Sequence, residues 1–381
     1  MRIAVDLSYI YSLETGGKTL VPLFLLKGFL KEDTKNEYTI ICNNVLVDQI
    51  NRDFPRFETV AIPNYHKFRS NKAIQLPLSI IYKNFAVPYL IKKQKPHVVF
   101  FPHECVCLFN LYKNSKTIMH PHDIQPISNP KRWPFIFRVY NRMYYTQDFR
   151  YMDKIIAISD SDKGEMDTFF PQHTAKFRKI YNPIDTDVYE RSTSRHTKEN
   201  TIVAVNYFDK HKNAITLLKA FHSLYQSIDH NLILIGTPNR TITKYIQTQG
   251  LEDRVIVTGY IDDDTKNEYL ANCSLYVNPT LFEGFGMTAV EALMLGAPCL
   301  LSDIPVNREV TMGLADYYAP PEDAIVLAEK ILESLAKTHT DQELTMRAGS
   351  MIERYNYTRV AKEYIMLFEE CYRELENMSG S

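Results

Sequence analysis

Short apolar runs alternate with amphipathic stretches along the whole chain. In the first half Ile3–Val5, Tyr38–Cys42, His97–Phe101, Thr117–His120 and Lys154–Ser159 read as strands. Lys18–Leu30 and Phe135–Thr146 read as helices between them. In the second half the strand runs are Thr201–Val205, Leu232–Gly236, Val255–Gly259, Ser274–Val277 and Pro298–Ser302. They are separated by Asn213–Leu224, Arg240–Gln249, Asp264–Ala271 and Thr288–Leu295, whose apolar residues recur three or four apart. Such alternation predicts an α/β protein with parallel sheets covered by helices on both faces, in two doubly wound domains. The expected boundary lies at Asn182-Pro183-Ile184-Asp185 and the aperiodic polar stretch Glu190–Asn200, read as a linker. An amphipathic helix over Thr358–Asn377 is expected to end the fold. The partition is therefore 1–185, 186–357 and a terminal helix, 358–381, packing back toward the first domain.

Composition narrows the class without changing this picture. The chain has 381 residues, 45% hydrophobic and 23% charged, which excludes collagen-like, disordered and coiled-coil proteins. At roughly 150 residues per domain the length suits two domains. No uninterrupted apolar run reaches about 18 residues, and the N-terminus begins as a strand with no signal-peptide pattern. A cytoplasmic protein is expected. Its six cysteines, with no C-x-x-C pair, are expected to be buried thiols; Cys105 and Cys107, two apart, are a poor candidate for metal or redox chemistry.

The net charge of −1 conceals a division. Residues 1–185 hold 26 basic and 17 acidic groups, net +9; residues 186–381 hold the remaining 18 and 28, net −10. Residues 59–103 contain no acid, and interleave Lys67, Arg69, Lys72, Lys83, Lys92, Lys93 and Lys95 with apolar side chains. That stretch is either a surface for anionic lipid head groups or an ordinary solvated helix whose apolar face joins the core.

The most informative segment is Asn278–Pro298, in which Glu283-Gly284-Phe285-Gly286 precedes a helix starting near Met287, and Glu291 follows eight residues after Glu283. Glycines at a strand-to-helix junction let backbone N–H groups approach a phosphate, and the helix N-terminus favours the negative charge. Two carboxylates beside a phosphate repel it unless they serve hydroxyls, which assigns them to sugar or ribose hydroxyl groups. The plainer alternative leaves Glu283 as a helix cap and Glu291 in solvent.

This segment resembles the E-x7-E signature of the retaining glycosyltransferases of family 4, which have the two-domain GT-B fold. The resemblance continues through Ser302-Asp303, Asn307-Arg308-Glu309-Val310 and Ala319-Pro320. It implies Glu283 on the donor sugar, Glu291 on the nucleotide ribose, and Phe285, Gly286, Met287 and Thr288 around the diphosphate. The O-antigen branch of that family carries an Arg-Lys pair on the diphosphate. Here Lys212-Asn213 is kept, with His211 in place of the arginine and Asn206 in place of a glycine. Considered alone, Lys212 is an ordinary surface lysine. Tyr260, after a strand, matches a position where the base packs, although an aromatic there is usually core.

The first half supplies further candidates. Gly16-Gly17, in the loop after the first strand, permit close backbone approach to a ligand; the resemblance implies that they face the donor phosphates. His122, at a strand end, is implied to line the donor-sugar pocket, with Asp123 as its orienting neighbour or an acceptor contact. His103-Glu104 is a weaker candidate. No metal site is expected: the acidic run Asp262-Asp263-Asp264 reads as a helix N-cap.

Together these observations imply a GT-B glycosyltransferase needing no cofactor beyond its nucleotide-sugar substrate. It would transfer a sugar to a hydroxyl with retention of configuration, the cleft closing to exclude water. GDP-mannose is the first expectation for the donor and a UDP-sugar the alternative. The expected acceptor is a lipid-linked glycan of O-antigen or capsule assembly, met on the inner face of the cytoplasmic membrane. The rivals are a sugar-nucleotide epimerase of the same fold and an idle GT-B module that only binds glycan or partner; nucleic-acid binding is disfavoured by the acidic second half.

Overall fold

The computed structural model describes residues 1–11, 16–63, 72–104, 106–190, 199–205 and 209–379. They form two units: residues 1–184 with 355–381, and residues 185–354. In unit 1 the strands are β1 (Arg2–Leu7), β2 (Glu37–Asn43), β3 (Glu58–Ile62), β4 (Val98–Phe101), β5 (Lys116–Met119), β6 (Lys154–Ala157) and β7 (Phe177–Lys179). In unit 2 they are β8 (Glu199–Val205), β9 (Asn231–Ile235), β10 (Val255–Gly259), β11 (Cys273–Asn278), β12 (Cys299–Ser302) and β13 (Asp316–Tyr318). Six helices matter below: α1 (Gly17–Glu32), α2 (Phe135–Tyr151), α3 (Ala214–Leu224), α4 (Asp263–Asn272), α5 (Met287–Met294) and α6 (Tyr357–Ser379).

Both sheets are parallel, ordered β3-β2-β1-β4-β5-β6-β7 and β10-β9-β8-β11-β12-β13. The inner strands are apolar on both faces because helices cover both: all four residues of β4 and all four of β12 are buried. The order reverses direction beside β1 in unit 1 and beside β8 in unit 2, so each sheet opens a crevice at its carboxyl edge there.

Three strands escape the sequence pattern: β3, β7 and β13. Each lies at a sheet edge, and each is short and partly polar. The stretch expected as a linker is partly structured: Glu190 ends a short helix, Glu199-Asn200 open β8, and residues 191–198 lie outside the described residues. Five cysteines, Cys42, Cys107, Cys273, Cys299 and Cys371, are buried free thiols; Cys105 lies outside the described residues.

The chain leaves unit 1 after Ile184 and re-enters it at Tyr355. The two crossings are tied together, since Ile184 N donates to Tyr355 O (2.8 Å) and Tyr357 N to Ile184 O (3.2 Å). α6 then packs on α1. Phe29, Phe100, Tyr364 and Phe368 form an aromatic cluster between them and β4, with centroids 5.2–6.3 Å apart. The buried Lys154 side chain reaches Glu370 and Glu374 of α6 at 2.7 and 2.8 Å.

Close approach of the two helices depends on Gly28. A Cβ there would stand 2.5 Å from Ala361 Cβ and 2.7 Å from the Tyr357 carbonyl. Alanine is the better helix former by about 1 kcal/mol, yet here the collision outweighs that gain. Gly28→Ala is expected to lower stability by about 1–3 kcal/mol in denaturant unfolding; an unchanged or raised midpoint would show that α6 is not packed tightly on α1.

Candidate active site

In unit 2 the carboxyl end of β11 runs into the loop 279–286 and then into α5. Gly286 caps that helix at φ 83°, ψ 46°, a left-handed conformation that favours glycine. Its absent side chain matters less: a Cβ would meet nothing nearer than Asn307 Oδ1 at 3.7 Å. The first turn of α5 contains no acidic residue, so Met287 and Thr288 present N–H groups that helix geometry leaves without intrahelical partners.

The loop is held from several sides. Ser302 Oγ donates to Thr280 O (2.6 Å), and Asn307 Nδ2 to Ser302 O (2.9 Å). Leu281 N donates to His211 O (2.8 Å), and the His211 ring stacks on Phe282 at 4.7 Å. Asn213, left-handed at φ 59°, donates to the carbonyls of Pro279 (3.0 Å) and Pro321 (2.8 Å). The turn that carries Lys212 is thereby fixed against the loop that carries Glu283. Asn307 Oδ1, fully buried near Gly286, has no hydrogen-bond partner.

Each of the two expected glutamates is bound to a lysine. Lys212 Nζ lies 2.5 Å from Glu283 Oε1, with both side chains largely buried. Lys266 Nζ of α4 lies 3.0 Å from Glu291 Oε2 and 3.0 Å from Asp263 Oδ1. Burial opposes the Lys266 charge, but Glu291 and Asp263 outweigh it and raise the ammonium pKa. The Tyr189 hydroxyl also bonds Glu291; burial and that carboxylate hold the phenol well above its ordinary pKa. Glu291 is therefore not a solvated side chain, and Glu283 is not a simple cap. Asp262 does cap α4, accepting from Thr265 N at 2.8 Å.

Other expected residues fall as follows. His211 contributes its carbonyl and a stacked ring to the loop scaffold. Tyr260 follows Gly259 at the carboxyl end of β10 and is 67% exposed, so it is not a core aromatic. Asn206 lies outside the described residues.

In unit 1, Gly16 caps α1 at φ 80° and Gly17 is the first residue of the helix. The next side chain, Lys18, pairs with Glu104 after β4. Burial works to raise the Glu104 pKa, but Lys18 and His122 outweigh it and take the carboxyl down to about 2. His103 Nε2 contacts Asp6 Oδ2 at 3.1 Å, both buried. His122 holds φ 66° and gives its Nε2 proton to the Pro102 carbonyl at 2.9 Å, which leaves Nδ1 as the basic nitrogen. Burial, then Lys18, depress its pKa to about 4.

Asp123 does not orient this ring. Its Oδ1 accepts from Gln125 N at 3.0 Å, and the Pro102 carbonyl takes the orienting place. The reason is local: Asp123 begins a turn and satisfies the turn's own amide. Burial raises the Asp123 pKa.

Sequence reasoning missed Lys266 and gave Lys18 no role. Lys266 sits in a polar helix with nothing local to mark it. Lys18 directly follows the glycine pair and could have been singled out on that ground.

Comparison with known proteins bears on these two units separately. The profile of glycosyl transferases group 1 matches residues 185–351, and that of glycosyltransferase family 4 matches residues 35–188. An O-antigen chain mannosyltransferase, RfbU of Salmonella typhimurium, is 25% identical over 289 residues, 74% of this chain and 78% of that one. A GDP-mannose:cellobiosyl-diphosphopolyprenol alpha-mannosyltransferase of Komagataeibacter xylinus is 29% identical over 231 residues, 57% of this chain and 56% of that one. Among solved structures, a sucrose-phosphate synthase from Thermosynechococcus elongatus superposes with a TM-score of 0.75 at 17% identity, over 98% of this chain and 99% of that one.

The depressed His122 pKa makes a testable demand on stability. Its folded value near 4 lies below the ordinary 6.5, so the unfolded chain binds the extra proton first as pH falls. Stability is thus lost below pH 6.5, about 2 kcal/mol of it between pH 7 and 5 from this residue. His122→Asn should remove that share in urea unfolding at the two pH values. An equal pH dependence in the variant would show that His122 titrates normally.

Proposed function

Because the chain belongs to the glycosyltransferases of the group 1 and family 4 kind, with the GT-B fold, we propose that it transfers mannose from GDP-mannose, with retention, to a hydroxyl of a lipid-linked glycan. The observation that carries this reading is the pairing of Lys212 with Glu283 beside the glycine-capped start of α5. The printed activities of the two relatives above, mannosyl transfer in each case, favour the sugar.

The roles follow from charge and position. Lys212 and the first N–H groups of α5, from Met287 and Thr288, take the diphosphate, with Phe285 and Gly286 shaping the approach. Glu283, released from Lys212, accepts hydroxyls of the donor sugar. Glu291, paired with Lys266, accepts those of the ribose. The exposed Tyr260 ring stacks on the base. In unit 1 we assign the start of α1 at Gly16-Gly17 to the donor phosphates and His122 to the transferred sugar. His122, neutral near pH 7, offers hydrogen bonds without competing for the phosphate charge.

Transfer breaks the bond between the sugar's C1 and the phosphate oxygen and forms one between C1 and the acceptor oxygen. The acceptor proton passes to the departing phosphate oxygen on the same face, while Lys212 and the α5 N-terminus carry the developing charge. The basic first half suits an acceptor that presents a diphosphate and lies at an anionic membrane surface. Among the described residues no helix is long and apolar enough to cross a membrane, so that association would be peripheral.

Two measurements test the reading. Thermal unfolding against millimolar GDP, UDP, dTDP and CMP should show stabilisation by GDP first; stabilisation by UDP alone would move the donor to a UDP-sugar. Glu283→Gln should lower transfer from GDP-mannose to a polyprenyl-diphosphate-linked acceptor by at least about 100-fold. Stabilisation by none of the four, with no transfer in the wild type, would leave an idle binding module.

A further inference from the structure

Helix α2 is apolar on two opposite sides. One side belongs to the core: Tyr144, Tyr145 and Phe149 are buried. The other carries Phe135, Ile136, Val139 and Met143, spaced so as to share one face, and these are 73, 60, 52 and 39% exposed. Trp133, just before the helix, is 39% exposed. A contiguous apolar surface of this kind marks an interaction site rather than ordinary scatter.

Its charge is as one-sided as its hydrophobicity. Residues 124–147 contain no acid and four bases, Lys131, Arg132, Arg138 and Arg142. Lys131, Arg132 and Arg142 are exposed. The Arg138 guanidinium lies 5.6 Å from the Phe135 ring centre. Arg138 and Arg142 also line a groove of 540 Å³ whose other walls include Ile127, Phe169 and Phe170, with no acid among them. The segment packed against the core side of α2, joined by Asn84 Nδ2 to Tyr144 Oη at 3.0 Å, also exposes Ile81, Phe85 and Tyr89 at four-residue spacing.

We propose that this face of α2, from Trp133 to Met143, is the surface by which unit 1 docks onto a bilayer rich in anionic lipid. The inference rests on the membrane-surface reading above and names the surface. Aromatic and aliphatic side chains enter the head-group boundary, with Trp133 at its edge, and the surrounding arginines and lysines meet lipid phosphates. The charge pattern chooses this occupant over a second copy of the chain, whose equally basic face would repel it.

Trp133 is the sole tryptophan of the chain, so its fluorescence reports on this surface without any substitution. At low salt the protein should float with phosphatidylglycerol-containing vesicles and not with pure phosphatidylcholine. Its emission should shift to the blue and acrylamide quenching should fall. Ile136→Ser with Val139→Ser should reduce partitioning at least tenfold while the thermal midpoint with GDP is retained. Flotation with an unchanged tryptophan signal would leave membrane association standing and overturn the assignment to α2. No flotation at all would remove the membrane reading and the inference with it. A dimer whose Trp133 is already shielded without vesicles would place a second copy on this face and overturn the proposal.

Discussion

A carboxylate that shares one end of a helix with an incoming phosphate repels it unless a cation stands with the pair, and Lys212 lies 2.5 Å from Glu283. That contact joins the turn after β8 to the loop after β11. The backbone and side-chain bonds around it, Leu281 N to His211 O and Asn213 to Pro279 and Pro321, hold the two segments in register. An isolated carboxylate in the same place would be costly to bury and would repel a phosphate. Paired, it forms an internal placeholder in which both partners have other work available.

The second pair has a different character. Lys266 is bound by two carboxylates and its charge is reinforced, while Glu291 is gripped by both Lys266 and Tyr189. Such an arrangement fixes the orientation of Glu291 on α5 rather than releasing it. One glutamate is thus poised to exchange its partner and the other is held still, which agrees with the distinct hydroxyl groups assigned to them. Ser302, Thr280 and Asn307 form the rigid support beneath the loop.

Much of this was legible in the chain. Strands in the middle of each sheet are buried on both faces, so they appear as unbroken apolar runs. The edge strands β3, β7 and β13 are half in solvent, and their polar residues weaken the pattern. Glu283 and Glu291 were visible because their spacing and the glycines between them are local. The cations that define their state were less so: Lys212 showed only by position, and Lys266 by nothing. The pairs Lys18–Glu104 and Asp6–His103 join residues far apart in sequence, which no periodicity reports. Asp123 misled for the opposite reason: adjacency to His122 suggested a partnership, while the carboxylate serves its own turn. The outward face of α2 was hidden because aromatic residues on both sides of a helix leave no polar face to define a period.

In the proposed reaction the Lys212–Glu283 pair gives way to the donor's diphosphate. Calorimetric titration of GDP, without sugar, into the wild type, Lys212→Met and Glu283→Gln tests it most directly. Affinity should be at least tenfold weaker in Lys212→Met and equal or tighter in Glu283→Gln, where the lysine is freed for the phosphate. Equal affinity in all three proteins, or weaker binding in Glu283→Gln than in Lys212→Met, would contradict it.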